Sequence, residues 1–171
     1  MRLTDLEYMK LALEQARVVL RHDRLPVGAV FVDESGHIAA RGLKNGVTHP
    51  RFDHAEHNAI YQLLWDPKGL KNLEGFTVYS TLEPCIMCMS LLMTTRVSRV
   101  VYGFPDAYGG GEFLLKSSSL SPRFQAKKPI SQGGVLAEES QRLLRAFFST
   151  QKADTFWANR SNPLVKAVMT G

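Results

Sequence analysis

Two short segments, His54-Ala55-Glu56 and Pro84-Cys85-Ile86-Met87-Cys88, constrain the fold more than any other feature of the chain. Between them they hold one imidazole, two thiols and a carboxylate, so a fold that uses them must carry two separate stretches of backbone to one point. Cys85 and Cys88 are three apart, and on a helix they project from the same face, close enough to grip one ion. His54 is the natural third ligand of a tetrahedral zinc. Three protein ligands leave one position open, which marks a catalytic rather than a structural site. Glu56, two residues from the ligating imidazole, is placed to take a proton from a zinc-activated water instead of binding the metal.

Other readings of these residues stand beside that one. A lone C-x-x-C is often a structural zinc half-site or a redox pair. A closed four-ligand knot would need a further donor; no third cysteine exists, and His49 and His57 are the local candidates. His57 reads equally as a helix-surface or packing residue, Asn45 as a turn residue, and Phe147-Phe148 as core. The run Gly109-Gly110-Gly111 reads as a flexible loop.

The chain of 171 residues, 44% of them apolar, is long enough to bury a core, and one domain over 1–171 is the simplest division. No apolar run approaches 18 residues and no signal-peptide pattern opens the chain, which points away from a membrane span and toward the cytoplasm. Both cysteines belong to the C-x-x-C, so no disulfide framework is left over. A net charge of +5 suits a polyanionic partner such as nucleic acid.

Taken in order, Thr4 to Glu7 reads as a capping box, and Leu6, Met9, Leu13, Ala16 and Leu20 give the first helix one buried face. Val27 to Val32 is an apolar strand, Asp33 to Gly36 a turn, and Ile38 to Leu43 the returning strand of a hairpin. A helix opens near His54 and buries Ala55, Ala59, Ile60, Leu63 and Leu64 until Asp66-Pro67. Phe76 to Ser80 is a third strand, Pro84 suits the first turn of the next helix, and Val97 to Tyr102 is a fourth strand. Ser117 to Lys128 reads as polar and irregular, and Pro129 to Gln132 as a fifth strand. Ala137-Glu138-Glu139 starts a helix with an apolar face of Leu143, Leu144, Phe147 and Phe148. The tail after Gln151 reads as partly helical. Strands alternating with helices after a hairpin imply an α/β fold with a mixed sheet.

H-x-E followed by P-C-x-x-C is the pattern of zinc deaminases acting on nucleobases. Zinc brings the pKa of a bound water to about 7, and one carboxylate can move its proton first to a ring nitrogen and then to the departing amine. The reaction class is hydrolytic deamination, releasing ammonia.

With both motifs in place the chain resembles the cytidine/deoxycytidylate deaminase superfamily, and within it the branch that acts on adenosine in bacterial tRNA. The resemblance runs from about Leu3 to Lys152 and rests on Leu25-Pro26-Val27-Gly28-Ala29-Val30, His54-Ala55-Glu56, Thr81-Leu82-Glu83-Pro84-Cys85-Ile86-Met87-Cys88, Arg99-Val100-Val101-Tyr102-Gly103, Tyr108-Gly109-Gly110 and Gly134 to Glu139 leading to Phe147-Phe148. It implies a three-layer α/β/α sandwich around a five-stranded mixed sheet, and a homodimer. It further implies zinc on His54, Cys85 and Cys88, with Glu56 as proton shuttle. Substrate contacts are implied at Asn45, Ala55, Pro84, Asp106 and Phe147.

Three functions compete at this point. The first is conversion of adenosine to inosine in a tRNA anticodon loop. The second is deamination of a free base, nucleoside or nucleotide of the guanine, cytosine or dCMP type, motivated by Asn58, since H-A-E-x-N-A is closer to the deoxycytidylate pattern, and by the altered loops Phe104-Pro105 and Gly111-Glu112-Phe113, which depart from the tRNA-acting branch. The third is a catalytically silent zinc-stabilised module, which the intact Glu56 argues against. Residues 153–171 form a C-terminal extension without a clear counterpart in the family.

Overall fold

The computed structural model describes residues 3–44, 49, 51–65, 69–150, 158–159 and 161–170. Helix α1, Asp5–Leu20, starts where the sequence places it. Thr4 Oγ1 accepts the Glu7 N–H at 3.3 Å, and the Glu7 carboxylate accepts the Thr4 N–H at 2.7 Å, which satisfies two of the donors that a helix start leaves open. Its buried stripe is rotated from the expected one. Tyr8, Ala12 and Val19 join Met9, Leu13 and Ala16, while Leu6 falls at the margin and is 53% exposed.

Among the described residues a single five-stranded sheet has the order β2-β1-β3-β4-β5. Strand β1, Gly28–Val32, pairs antiparallel with β2, Ile38–Leu43, and with β3, Thr77–Leu82. Strand β3 then pairs parallel with β4, Arg99–Phe104, and β4 with β5, Ile130–Gln132. Side chains alternate across this sheet. Ala29, Phe31, Val78, Val100 and Tyr102 face the layer made by α2, Ala55–Leu64, and α3, Ile86–Thr94. Val30, Val32, Tyr79 and Val101 face α1. Burying one such apolar side chain contributes roughly 1.5–3 kcal/mol, so register is fixed on both faces. Close contact matters as much as burial: a Cβ at Gly28 would lie 2.6 Å from the Ala16 nitrogen, so only glycine lets α1 approach β1 this far.

Helix α6, Ala137–Thr150, packs beside α1 over β3 and β4, completing the three layers. The stretch from Ser117 to Lys128, expected to be irregular, contains a single-turn helix, α5 at Pro122–Gln125, and another, α4 at Phe113–Lys116, precedes it. A final helix, α7, Pro163–Thr170, packs on α6 through Leu164, Val165 and Val168, so the expectation of helix in the tail holds. No helix among the described residues is long and apolar enough to cross a membrane.

The topology explains how two distant segments meet. Strands β2 and β3 are both antiparallel to β1 and therefore run in the same direction. Their carboxyl ends lie on one edge of the sheet, and each hands the chain to a helix whose N-terminus opens there, the place where open α/β sheets bind ligands.

Candidate active site

His54 is the N-cap of α2 and Cys85 the N-cap of α3, both extended, with Cys88 one turn into α3. Pro84 therefore lies one residue before the cap, not in the first turn as the sequence suggests. Its fixed φ suits the extended entry to the helix as well as the turn itself. The His54 Nδ1 atom is 3.5 Å from the Cys85 sulfur and 3.5 Å from the Cys88 sulfur. A zinc ion bonded to sulfur at about 2.3 Å and to nitrogen at about 2.0–2.1 Å in tetrahedral geometry holds those atoms roughly 3.5 Å apart, so the donor set fits the metal.

Among the described residues the cluster has these three donors and no fourth. His49 turns its Nδ1 to the Arg51 N–H and its ring to Phe52, and the His57 ring also lies against Phe52. Neither closes the site into a four-ligand knot.

The two thiols differ in their proton affinity. Hydrogen bonding from Cys88 and then from His54 pulls Cys85 down to about 4, whereas the same contact and burial push Cys88 up. The bond to Cys85 raises His54 in turn. Glu56 is 3% exposed, in the first turn of α2 behind the ligands. Burial raises its pKa, the neighbouring Cys85 charge adds to that, and Ser80 Oγ donates to its Oε1 at 2.9 Å. A buried carboxyl with raised proton affinity next to three metal donors is suited to taking up and releasing a proton.

In front of the cluster is a cavity of about 350 Å³. Leu25, Val27, Leu82, Ile86 and Leu164 give it an apolar side, and Lys44, Asp53, Glu83, Asp106 and Tyr108 a polar one. The β4–α4 loop that carries Asp106 is strapped to the start of α3. The Glu83 carboxylate accepts the Asp106 N–H at 3.0 Å and the Glu112 N–H at 2.9 Å. The Ile86 N–H reaches the Gly109 carbonyl at 3.0 Å, and the Gly111 N–H the Pro84 carbonyl at 2.9 Å. A Cβ at Gly110 would strike the Glu83 carboxyl carbon at 2.5 Å. The glycine run is thus a close-packed strap rather than the flexible loop its composition suggests.

Of the substrate contacts implied by sequence, Ala55 and Asp106 line the cavity. Pro84 and Phe147 do not. Pro84 is buried behind Cys85, and Phe147, 2% exposed, packs with Leu82, Leu144 and Leu164 in the core between α6 and α7. An apolar residue on an amphipathic helix carries no sign of whether it faces core or cavity. Asn45 lies outside the described residues. Asn58 does not itself line the cavity; it donates to the Leu43 carbonyl and to the cavity residue Asp53, each at 2.9 Å, and ties α2 to the end of β2. Sequence reasoning missed Glu83, Lys44 and Leu164. Glu83 was visible as the acid before the proline, whereas Leu164 had no signal at all in the tail.

Residues 3–104 match the model of the cytidine and deoxycytidylate deaminase zinc-binding region. The chain is 37% identical to a tRNA-specific adenosine deaminase of Bacillus subtilis, over 82% of this chain and 86% of that protein. It is 33% identical to one of Agrobacterium fabrum, over 86% of this chain and 95% of the other. Among solved structures, one determined in work on A-to-I editing by tRNA:A34 deaminases at the wobble position of transfer RNA is 31% identical. It superposes with a TM-score of 0.65, covering 81% of this chain and 99% of that one.

Proposed function

The chain belongs to the cytidine and deoxycytidylate deaminase family and is a zinc-dependent deaminase; on that premise we propose that it converts adenosine to inosine in a tRNA anticodon loop. The observation that carries this reading is the 37% identity to a tRNA-specific adenosine deaminase over 82% of the chain. His54, Cys85 and Cys88 would hold zinc, which when bound supplies a Lewis acid that brings the pKa of a water near 7.

Glu56 takes the proton from the water that attacks C6 of adenine and delivers it to N1. A proton then passes through the same carboxylate to the exocyclic amine, the C6–N6 bond breaks, and ammonia leaves. Adenosine and water become inosine and ammonia, with Glu56 unchanged at the end. Its burial keeps competing water away from that proton. Ala55 and Asp106, from two sides of the cavity, position the base. Lys44 and the overall charge of +5 suit the phosphates around an extruded nucleotide.

In the small-substrate alternative, Asn58 is engaged with Leu43 and Asp53 and does not itself line the cavity, which leaves that reading resting on the altered loops around Phe104-Pro105 and Gly111-Glu112-Phe113. The same proposal includes one catalytic domain over 1–171 with 153–171 as its extension, a cytoplasmic location suited to two reduced cysteines, and a homodimer. The dimer is supported by the outward face around α2, where Phe52, Tyr61 and Trp65 are each more than half exposed and the Tyr61 and Trp65 rings lie 4.7 Å apart. Light scattering on the eluted protein would measure its mass.

The test of function is mass spectrometry after incubating zinc-loaded protein with an adenosine-bearing anticodon stem-loop and, in parallel, with free bases, nucleosides and nucleotides. Inosine in the stem-loop is expected, and Glu56→Ala should abolish it while zinc stays bound. Turnover of a free base or nucleotide with an untouched stem-loop would overturn the reading.

A further inference from the structure

The cavity shares part of its wall with the apolar core between α6 and α7: Leu25, Val27, Leu82 and Leu164 belong to both. Leu164 is the outlier among them. It comes from α7, well past residue 104 where the match to the family's zinc-binding region ends.

Helix α7 is capped at its start and clamped to α6 at its end. At its start Asn162, 5% exposed, accepts the N–H of Leu164 at 2.9 Å and of Val165 at 3.4 Å, the geometry of an N-cap. At its end the Val168 carbonyl, one of the last four that a helix leaves without an internal partner, accepts three donors from α6. These are Gln141 Nε2 at 3.1 Å, Arg145 Nε at 3.2 Å and Arg145 Nη2 at 2.9 Å. A guanidinium at this position is further favoured by the negative end of the helix dipole. A helix whose last turn is clamped by Gln141 and Arg145 cannot slide along α6 without breaking those bonds, and the Asn162 cap keeps its first turn formed, so Leu164 is held in register against the cavity.

Resting on the reading that a nucleobase enters this cavity, we propose that α7 is a specificity element. Leu164, with Leu25 and Val27, forms an apolar wall that limits the substituents a base can carry on that side. Arg145 and Gln141 are positioning residues that set where the wall stands. A wall of this kind discriminates by shape: one methyl group too many in an apolar pocket changes kcat/KM by roughly 10–200-fold. The zinc ligands and Glu56 then serve the chemistry common to the family, while the C-terminal helix sets which base reaches them.

The test compares wild type with Leu164→Ala, Leu164→Phe, Arg145→Ala and the volume-conserving Leu164→Ile. The substrates are the stem-loop carrying adenosine, 2-methyladenosine or 8-methyladenosine. The readout is the ratio of kcat/KM for each methylated substrate to that for the parent, in which any loss of folded protein cancels. Leu164→Ala should raise the ratio for one methyl isomer about tenfold or more, Leu164→Phe should lower it, Leu164→Ile should leave it near wild type, and Arg145→Ala should raise the same isomer's ratio to a lesser degree. Ratios unchanged in both the Ala and the Phe variants would overturn the proposal.

A second readout needs no turnover. Hydrogen exchange of the zinc-loaded wild type with purine riboside, which lacks the leaving amine, should slow at the amides of 164–170. Slowing at 54–56 and 82–88 with none in α7 would overturn the wall. If wild type acts on a free nucleoside and not on the stem-loop, the proposed function falls, and the same ratios on methylated forms of that nucleoside still decide the role of Leu164.

Discussion

Glu83 and Asp106 are joined by a hydrogen bond of 3.0 Å from the Asp106 backbone N–H to the Glu83 carboxylate, whose other oxygen accepts the Glu112 N–H. Asp106 in turn folds its own loop, its Oδ1 accepting the N–H groups of Tyr108 at 2.9 Å and Gly109 at 3.1 Å. The buried Glu83 carboxylate therefore holds the cavity-lining loop in shape.

Glu83→Ala should loosen that loop without emptying the metal site. Two backbone N–H groups lose their acceptor at a cost of roughly 1–3 kcal/mol each when they stay buried. The expected outcome is a lower denaturation midpoint and a raised KM with stoichiometric zinc retained, read by urea titration, kinetics and metal analysis. An unchanged KM would show that the loop keeps its shape without the brace.

Removal of the metal should act on both stability and activity. His54, Cys85 and Cys88 join α2 to α3, so a bound ion cross-links two helices that otherwise share few contacts. Stabilisation by a ligand grows as RT ln(1 + [L]/Kd), about 2.7 kcal/mol at a hundredfold excess over Kd. Chelation is expected to lower Tm and abolish deamination, with both restored by zinc. Cys88→Ser should reproduce the loss, since 3.5 Å from His54 it supplies one of three donors.

The metal donors were legible in sequence because their geometry is local: two residues separate the cysteines, and an H-x-E segment opens a helix. The hairpin and the parallel strands were legible from apolar runs between turn residues. Leu164 was not, because what makes it a cavity residue is the Arg145 and Gln141 clamp on Val168, a contact between helices with no sequence period. Phe147 shows the converse: its apolar character fits core and cavity equally, and packing with Leu144 and Leu164 puts it in the core beneath α7. The glycine run was misread because close packing against Glu83 and mobility require the same absence of a side chain.

Stability should fall at alkaline pH through buried tyrosines. Burial, then the hydrogen bond to Asp5 at 2.7 Å, hold the Tyr79 phenol above its ordinary 10, and burial followed by the bond to Glu112 does the same for Tyr102. The folded state keeps these protons where the unfolded chain has lost them. Their contribution is thus complete below pH 10 and declines as pH rises beyond it. Urea midpoints measured from about pH 9 to about pH 11.5 should show this slope, and Tyr79→Phe should reduce it. An identical slope in the variant would assign the alkaline loss to other groups.

Glu56→Gln separates proton transfer from metal binding more cleanly than truncation does. The amide keeps the volume of the carboxylate and can still accept from Ser80 Oγ, so the ligands around it have no reason to move. It cannot take up a proton from water. General acid–base catalysis by one positioned group contributes roughly 10²–10⁴-fold, and here one group serves two transfers, so kcat should fall by about 10⁴-fold or more while KM and zinc content stay near wild type. If instead zinc is lost in proportion to activity, Glu56 acts as a structural support of the metal site, and another group must carry the proton.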